Sequence, residues 1–214
     1  MMPRFLAALA ALATLAALVA PLSLAAQEPP EPLREVNITQ GSEPGWIPDE
    51  ALETETISTW KRYFALLEAG DYQAAHAMHR PEFRETYPLD AYRTDQRAAR
   101  EKHGAQLSRR HFRLTWTKDA PGTPFPGTFV AIDNIARYER AERHCGYVVL
   151  HRAPGAEEFT VLRVEDNLLA DESAETIARV HSPLQRDLVW RLLARNCPGY
   201  TPSPLPEEAV AACI

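Results

Sequence analysis

ISTWKRYFALLEAGDYQAAHAM, residues 57–78, decides the fold. Ile57, Trp60, Phe64 and Leu67 recur at spacings of three, four and three, which puts them on one face of an α-helix. Gly70 supplies a left-handed stop, and Asp71 caps a second helix. A helical hairpin this apolar on one side must bury that side on another layer. The segment just before it, DEALETE from Asp49, carries four acids and suits the positive end of a helix dipole. The spacing therefore predicts a first helix over 49–69 and a second from Tyr72 to about Arg80, where Pro81 ends it.

Further along, Phe83 and Tyr87 anchor a short helical turn before Pro88. Asp90 is expected to cap a third helix, which Gly104 stops. Tyr92, Gln96, Ala99 and His103 share its face, a less apolar one that marks a peripheral helix. The period then changes from helical to alternating. Phe112, Leu114 and Trp116 alternate with polar residues as a half-buried strand. A turn-rich loop, APGTPFPG, leads to strands over 128–138, 145–152 and 159–164. Connections this short imply antiparallel pairing. The predicted class is α+β: N-terminal helices packed on a curved, cone-like, four-stranded antiparallel sheet, plus a C-terminal helical extension. That extension holds a short helix near Glu172–Val180 and a second one capped by Ser182, with Pro183 at its first position and Gln185 closing a capping box. Leu184, Leu188 and Leu192 form the apolar line of this last helix.

The ends of the chain read differently. Residues 1–25 hold one early charge, Arg4, then an apolar run and small residues at Ser23 and Ala25, the pattern of a cleaved signal peptide. The apolar run is shorter than the roughly 20 residues that a membrane span needs. Residues 26–48 form a linker with five prolines and the sequon Asn37-Ile38-Thr39. Residues 49–169 are the α+β domain, and 170–214 the helical extension with a disulfide-tied tail. The expected location is the periplasm or the medium. Removing the 25-residue signal leaves 189 residues, and because Arg4 is its only charge the formal net charge moves from −6 to −7. That acidity excludes nucleic acid as a partner, since phosphate contacts need clustered cations. Arg97–Lys102 and Arg109–Arg113 are read as solvated faces.

Export makes a disulfide plausible among Cys145, Cys197 and Cys213. Cys197–Cys213 is the first pairing, with Cys145 as a small buried residue. Cys145–Cys197 is the competing pair.

Trp60, Gly70-Asp71-Tyr72, Phe83, Leu107 with Arg109 or Arg110, Pro126-Gly127 with Phe129-Val130, and Leu162-Arg163-Val164 form a recurring set. From Leu52 to Leu169 the chain resembles a bacterial exported family of unknown function with the nuclear-transport-factor-2-like α+β cone. It departs from that pattern at Leu162, where the family has Trp. The resemblance implies a fold and an exported setting, and no reaction.

Chemistry is sparse. His76 and His79 stand three apart on the second helix, close enough to share a metal with His144, Cys145 or His151 as a third ligand, but no metal site is expected: His79 is read as a helix-end cap beside Arg80 and His76 as a surface polar residue. A general acid–base pair could be drawn from the histidines with Asp133, Glu165 and Asp166. In the mouth of a cone the candidates are Tyr92, His111, Arg113, Asp133 and His151. Strand alternation puts His111 and Arg113 opposite Phe112 and Trp116, away from a pocket. It also separates His144 from Cys145, which disfavours a thiol nucleophile. The sequence holds no GxSxG, phosphate loop, HExxH or CxxC. Trp60, Phe64, Tyr72, Phe112, Trp116 and Tyr147 are the candidate lining of an apolar pocket, or simply core. The reading that follows is an exported, non-enzymatic module without a cofactor, binding a hydrophobic small molecule or an envelope protein. The alternatives are a small-molecule isomerase, dehydratase or hydrolase, and a structural module that forms a homodimer through its sheet face.

Overall fold

The computed structural model describes residues 45–202 and the backbone of Ile38–Thr39. Helix α1, Glu50–Ala69, begins where the Asp49 carboxylate accepts the Leu52 backbone N–H at 2.8 Å. It ends at Gly70, whose positive φ of 74° lets the chain reverse. Asp71 then caps α2, Tyr72–Ala77, by accepting from the Ala74 backbone N–H at 3.0 Å. α2 stops three residues sooner than expected. The chain after it is drawn onto the sheet edge, where Val161 donates to the Met78 carbonyl and Arg80 donates back to the Val161 carbonyl. α3, Pro81–Thr86, and α4, Leu89–His103, follow. Pro88, not Asp90, is the α4 cap residue, and Asp90 lies in the first turn, paired with Arg93.

Four antiparallel strands come next: β2 Gln106–Lys118, β3 Thr128–Tyr138, β4 Arg143–Arg152 and β5 Thr160–Leu169. They stand in sequence order in one sheet. A two-residue strand, β1 (Ile38–Thr39), pairs parallel with β2 at the outer edge. That strand falls in the segment read as linker, and Asn37 of the sequon lies outside the described residues. β2 starts six residues before the expected alternation, and β5 ends five residues after it.

Helices α1–α4 cover one face of the sheet. Trp60, Tyr63, Phe64 and Tyr92 meet Leu114, Trp116, Ile132 and Val148 there, all buried. The buried face of α1 is centred on Thr56, Trp60 and Tyr63, so it is broader than the Ile57–Leu67 line and rotated from it. The opposite face carries a second cluster, in which Trp190, Ala194 and Cys197 pack on Cys145 and Leu169. The last two helices form this outer layer: α5, Asp171–Val180, and α6, Pro183–Ala194. Ser182 caps α6 as expected, accepting from the Gln185 backbone N–H at 3.0 Å. The leucine line of α6 faces outward instead, with Leu188 42% and Leu192 61% exposed. Trp190, Ala194 and Cys197 recur at four and three, and that face is the one fastened to the sheet.

The fastening is covalent. Cys145 on β4 and Cys197 after α6 form a disulfide with Cα atoms 6.1 Å apart. Cys197 is thereby unavailable to Cys213, which corrects the first pairing; Cys213 lies outside the described residues. The two sulfurs meet because β4 presents Cys145 to the outer layer just where α6 ends. In the chain-entropy picture a loop with a sequence separation of 52 contributes about 4 kcal/mol. Reduction is expected to lower the melting temperature of the wild type and to leave Cys197→Ser unchanged. Calorimetry with and without reductant checks this.

Candidate functional site

The extra length of β2 builds the site. The register of β2 on β3 slips between His111 and Arg113, so Phe112 is an inserted residue. This bulge inverts the alternation that the sequence implied. On the near side of it, His111 packs edge-on against Trp60 at 5.5 Å between ring centroids, and Arg109 lies 3.7 Å over the Phe64 ring. Both therefore face the helices. Phe112 turns to the outer layer, 6.3 Å from the Tyr200 ring, and Arg113 pairs with Asp133 at 2.6 Å.

Arg109 is the hub of the inner site. Its side chain is 4% exposed. Nε donates to Gln106 at 2.6 Å, Nη2 to the Tyr138 hydroxyl at 2.5 Å, and Nη1 to the Asn134 side-chain oxygen. The Asp166 carboxylate lies 3.6 Å from Nη1. A buried guanidinium is stable only with this density of acceptors. Asp166 is held in turn by His144, whose Nε2 lies 2.7 Å from Oδ1. The tautomer follows from the other nitrogen: Nδ1 accepts the Ala136 backbone N–H at 2.9 Å, so the proton sits on Nε2 and is donated to Asp166. Burial alone would raise the Asp166 carboxyl. The His144 hydrogen bond and the Arg109 charge outweigh it and bring the group down to about 2. Although surrounded by protein, this side chain stays 31% exposed because it opens into a cavity.

That cavity has a volume of about 170 Å³ and lies between α1, α4 and the ends of β3 and β5. Phe64, Leu67, Tyr72 and Leu168 give it apolar walls. Glu68, His103, Arg109, Tyr138 and Asp166 give it polar ones. Gly104 turns the chain from α4 into β2 against the residue that follows β3: its φ is 79°, and a Cβ there would meet the Glu139 side chain at 2.6 Å. Glu68 ties the walls together, accepting from Arg100 and from the Gln106 backbone N–H, each at 3.1 Å. Burial pushes the Tyr138 phenol up to about 12, and burial with nearby Lys102 and Arg140 pulls the His103 imidazole down. His103 Nδ1 is buried with no protein partner.

The expected pocket residues divide three ways. Phe64 and Tyr72 line the cavity. Trp60 and Trp116 are packed core. Phe112 and Tyr147 belong to the opposite face, Tyr147 lying beneath Arg163 while its neighbour Val148 joins the inner core. Glu68, Gln106, Arg109 and Tyr138 were not expected at a site. His151 lies at the far end of β4, 2.6 Å from Arg80. His76 and His79 face each other at 6.5 Å between ring centroids. Their Nε2 atoms are engaged elsewhere, His76 with the Tyr87 carbonyl at 2.8 Å and His79 with the Tyr63 hydroxyl at 3.2 Å. Among the described residues no group of three or more His, Cys, Asp or Glu is placed to hold a metal.

Residues 59–161, just under half of the chain, match the family described as "Protein of unknown function (DUF4019)". The match agrees with the expectation of a domain family without an assigned activity. It runs from α1 into β5 and stops short of Asp166. No curated protein and no solved structure matches the chain.

Two outcomes test the buried network. Arg109→Ala is expected to cost roughly 3–5 kcal/mol in denaturant unfolding, because it strands Asp166 beside an apolar wall. Arg109→Lys should recover only part, since an ammonium cannot fork to Tyr138 and Asn134 together. Separately, His79 is 3% exposed, and burial, with the His76 and Arg84 charges, holds it down to about 4. Its folded pKa lies below the unfolded 6.5, so its contribution is present above pH 6.5 and is lost as pH falls toward 4. Stability should drop by on the order of 3 kcal/mol across that window. The drop should flatten in His79→Gln, measured by unfolding at a series of pH values.

Proposed function

We propose that this chain is an exported, non-enzymatic binding module whose ligand site is the Arg109–Asp166 cavity. The observation that carries the reading is the state of the titratable groups there. Asp166 is held ionised at about 2, far too acidic for a general base at neutral pH. His144 spends one nitrogen on the Ala136 backbone and the other on Asp166, so it has none left for a substrate. What remains, His103 with its unpartnered Nδ1 included, is a set of hydrogen-bonding groups facing an open space without a paired acid and base, as ligand sites require. The half-polar lining favours a small polar molecule over a purely hydrophobic one.

The setting is part of the same proposal. Residues 1–25 are read as a cleaved signal and 26–48 as a linker to the α+β domain. The Cys145–Cys197 disulfide suits an oxidising compartment, and no helix among the described residues is long and apolar enough to cross a membrane. Four helices laid on one face of an antiparallel sheet support the nuclear-transport-factor-2-like cone as the fold family.

The test is a thermal-shift screen of small polar compounds on the purified mature protein. A ligand at a hundredfold excess over its Kd should stabilise by about 2.7 kcal/mol. Ala99→Phe, which places a ring at the mouth of the cavity, should abolish that gain without lowering its own melting temperature. Binding that persists in Ala99→Phe, or turnover of the bound compound, overturns the proposal.

A further inference from the structure

Resting on the reading of the cavity as a binding site, we infer that its ligand class is a neutral, ring-sized molecule bearing a carboxamide or hydroxyl. That group is bound between the free Asp166 Oδ2 and the free Tyr138 hydroxyl proton. Both groups are already aimed by one guanidinium. Asp166 Oδ1 takes His144 and faces Arg109, while Oδ2 has no protein donor among the described residues. The Tyr138 oxygen accepts from Arg109 Nη2, so its own hydrogen is left to donate, and no protein acceptor among the described residues takes it. A fixed acceptor and a fixed donor held by the same guanidinium match a single group that both donates and accepts. Carboxamides and hydroxyls do; carboxylates and ammonium groups do not.

Charge gives the same answer from both signs. An anionic ligand needs an uncommitted cation. Arg109 is buried with each of its three nitrogens already donating to a protein acceptor, Arg100 is paired with Glu68, and burial with Lys102 and Arg140 disfavours the charged form of His103. A cationic ligand would have to approach a carboxylate that already has Arg109 3.6 Å away, and would share its site with that like charge. A neutral ligand meets neither cost. Size is set by volume: a cavity near 150 Å³ accommodates benzene, and this one is about 170 Å³. Phe64, Leu67 and Leu168 are the surface for the apolar part of the ring. His103 Nδ1, buried and unpartnered, offers a further contact.

Benzamide, benzamidine and benzoate share one shape and differ in charge, so they separate the possibilities. Each is titrated into isotope-labelled mature protein and followed by amide and side-chain shifts near Phe64, His103 and Tyr138. Benzamide is expected to bind at about 1 mM, the range for a fragment of this size. Benzamidine and benzoate should be weaker by about tenfold or more, and Tyr138→Phe should weaken benzamide by about tenfold. Tighter binding of benzamidine or benzoate at the same residues overturns the ligand class and leaves the binding module standing. So does benzamide binding that Tyr138→Phe leaves unchanged. Absence of shifts at the cavity with all three probes overturns the class. If the thermal-shift screen is also empty, the binding-module reading falls with it.

Discussion

One inserted residue sorts the side chains of this protein into its two layers. Without the bulge at Phe112, strict alternation along β2 would send Arg109 and His111 outward with Arg113 and leave Phe112 under the helices. With it, the basic end of the strand delivers a guanidinium to the inner layer, and the following residues deliver an aromatic ring and a second arginine to the outer one. β5 has a matching irregularity opposite Val149–Leu150, where Leu162 is the extra residue. It lets Val161 and Val164 both face the inner core despite their odd spacing. A further slip on β2, between Gln106 and Ser108, turns Gln106 back to the inner side, and the three bulges together keep the long strands apolar where helices cover them and polar where the cavity opens.

The cavity is thus an electrostatic construction set into a packed core. Trp60, Trp116 and Ile132 fill the centre, and the space left over lies at the end of the sheet, where α4 and the last residues of β5 fail to close. Arg109 would be costly there alone. Phe64 beneath it, Asp166, Tyr138, Asn134 and Gln106 around it, and His144 behind Asp166 make a network in which each member satisfies the next.

Local rules written into single residues were legible in the sequence. Asp71 and Ser182 cap the helices as their side chains predict, and Gly70 turns the chain as expected, whereas Asp49 caps α1 from just outside it rather than opening its first turn. The order of helices and then strands gave the α+β class. What failed depended on long-range geometry. QLSRR does not alternate in hydrophobicity: Leu107 is exposed while Arg109 is buried, so the start of β2 looked like a solvated basic run. The leucines of α6 outnumber its tryptophan, but Trp190 is on the side that the disulfide fastens. Asp166 and His144 were among the candidate acid–base groups, yet no signal in the sequence pairs them across two strands. Their meeting depends on the β4–β5 register, where His144 sits opposite Leu168 and Gly146 opposite Asp166.

Cys145 and His144 are chain neighbours on opposite faces of β4. The covalent tie to α6 and the polar tie to Asp166 are therefore separated by a single peptide unit. A strand can in principle slide along its partners, and a slip of one residue would exchange its two faces. Here such a slip would pull a sulfur–sulfur bond out of the outer layer and an imidazole off a carboxylate in the inner one. Oxidation of two cysteines therefore acts as a position lock for the cavity, fixing from behind the sheet which side chains β4 shows in front.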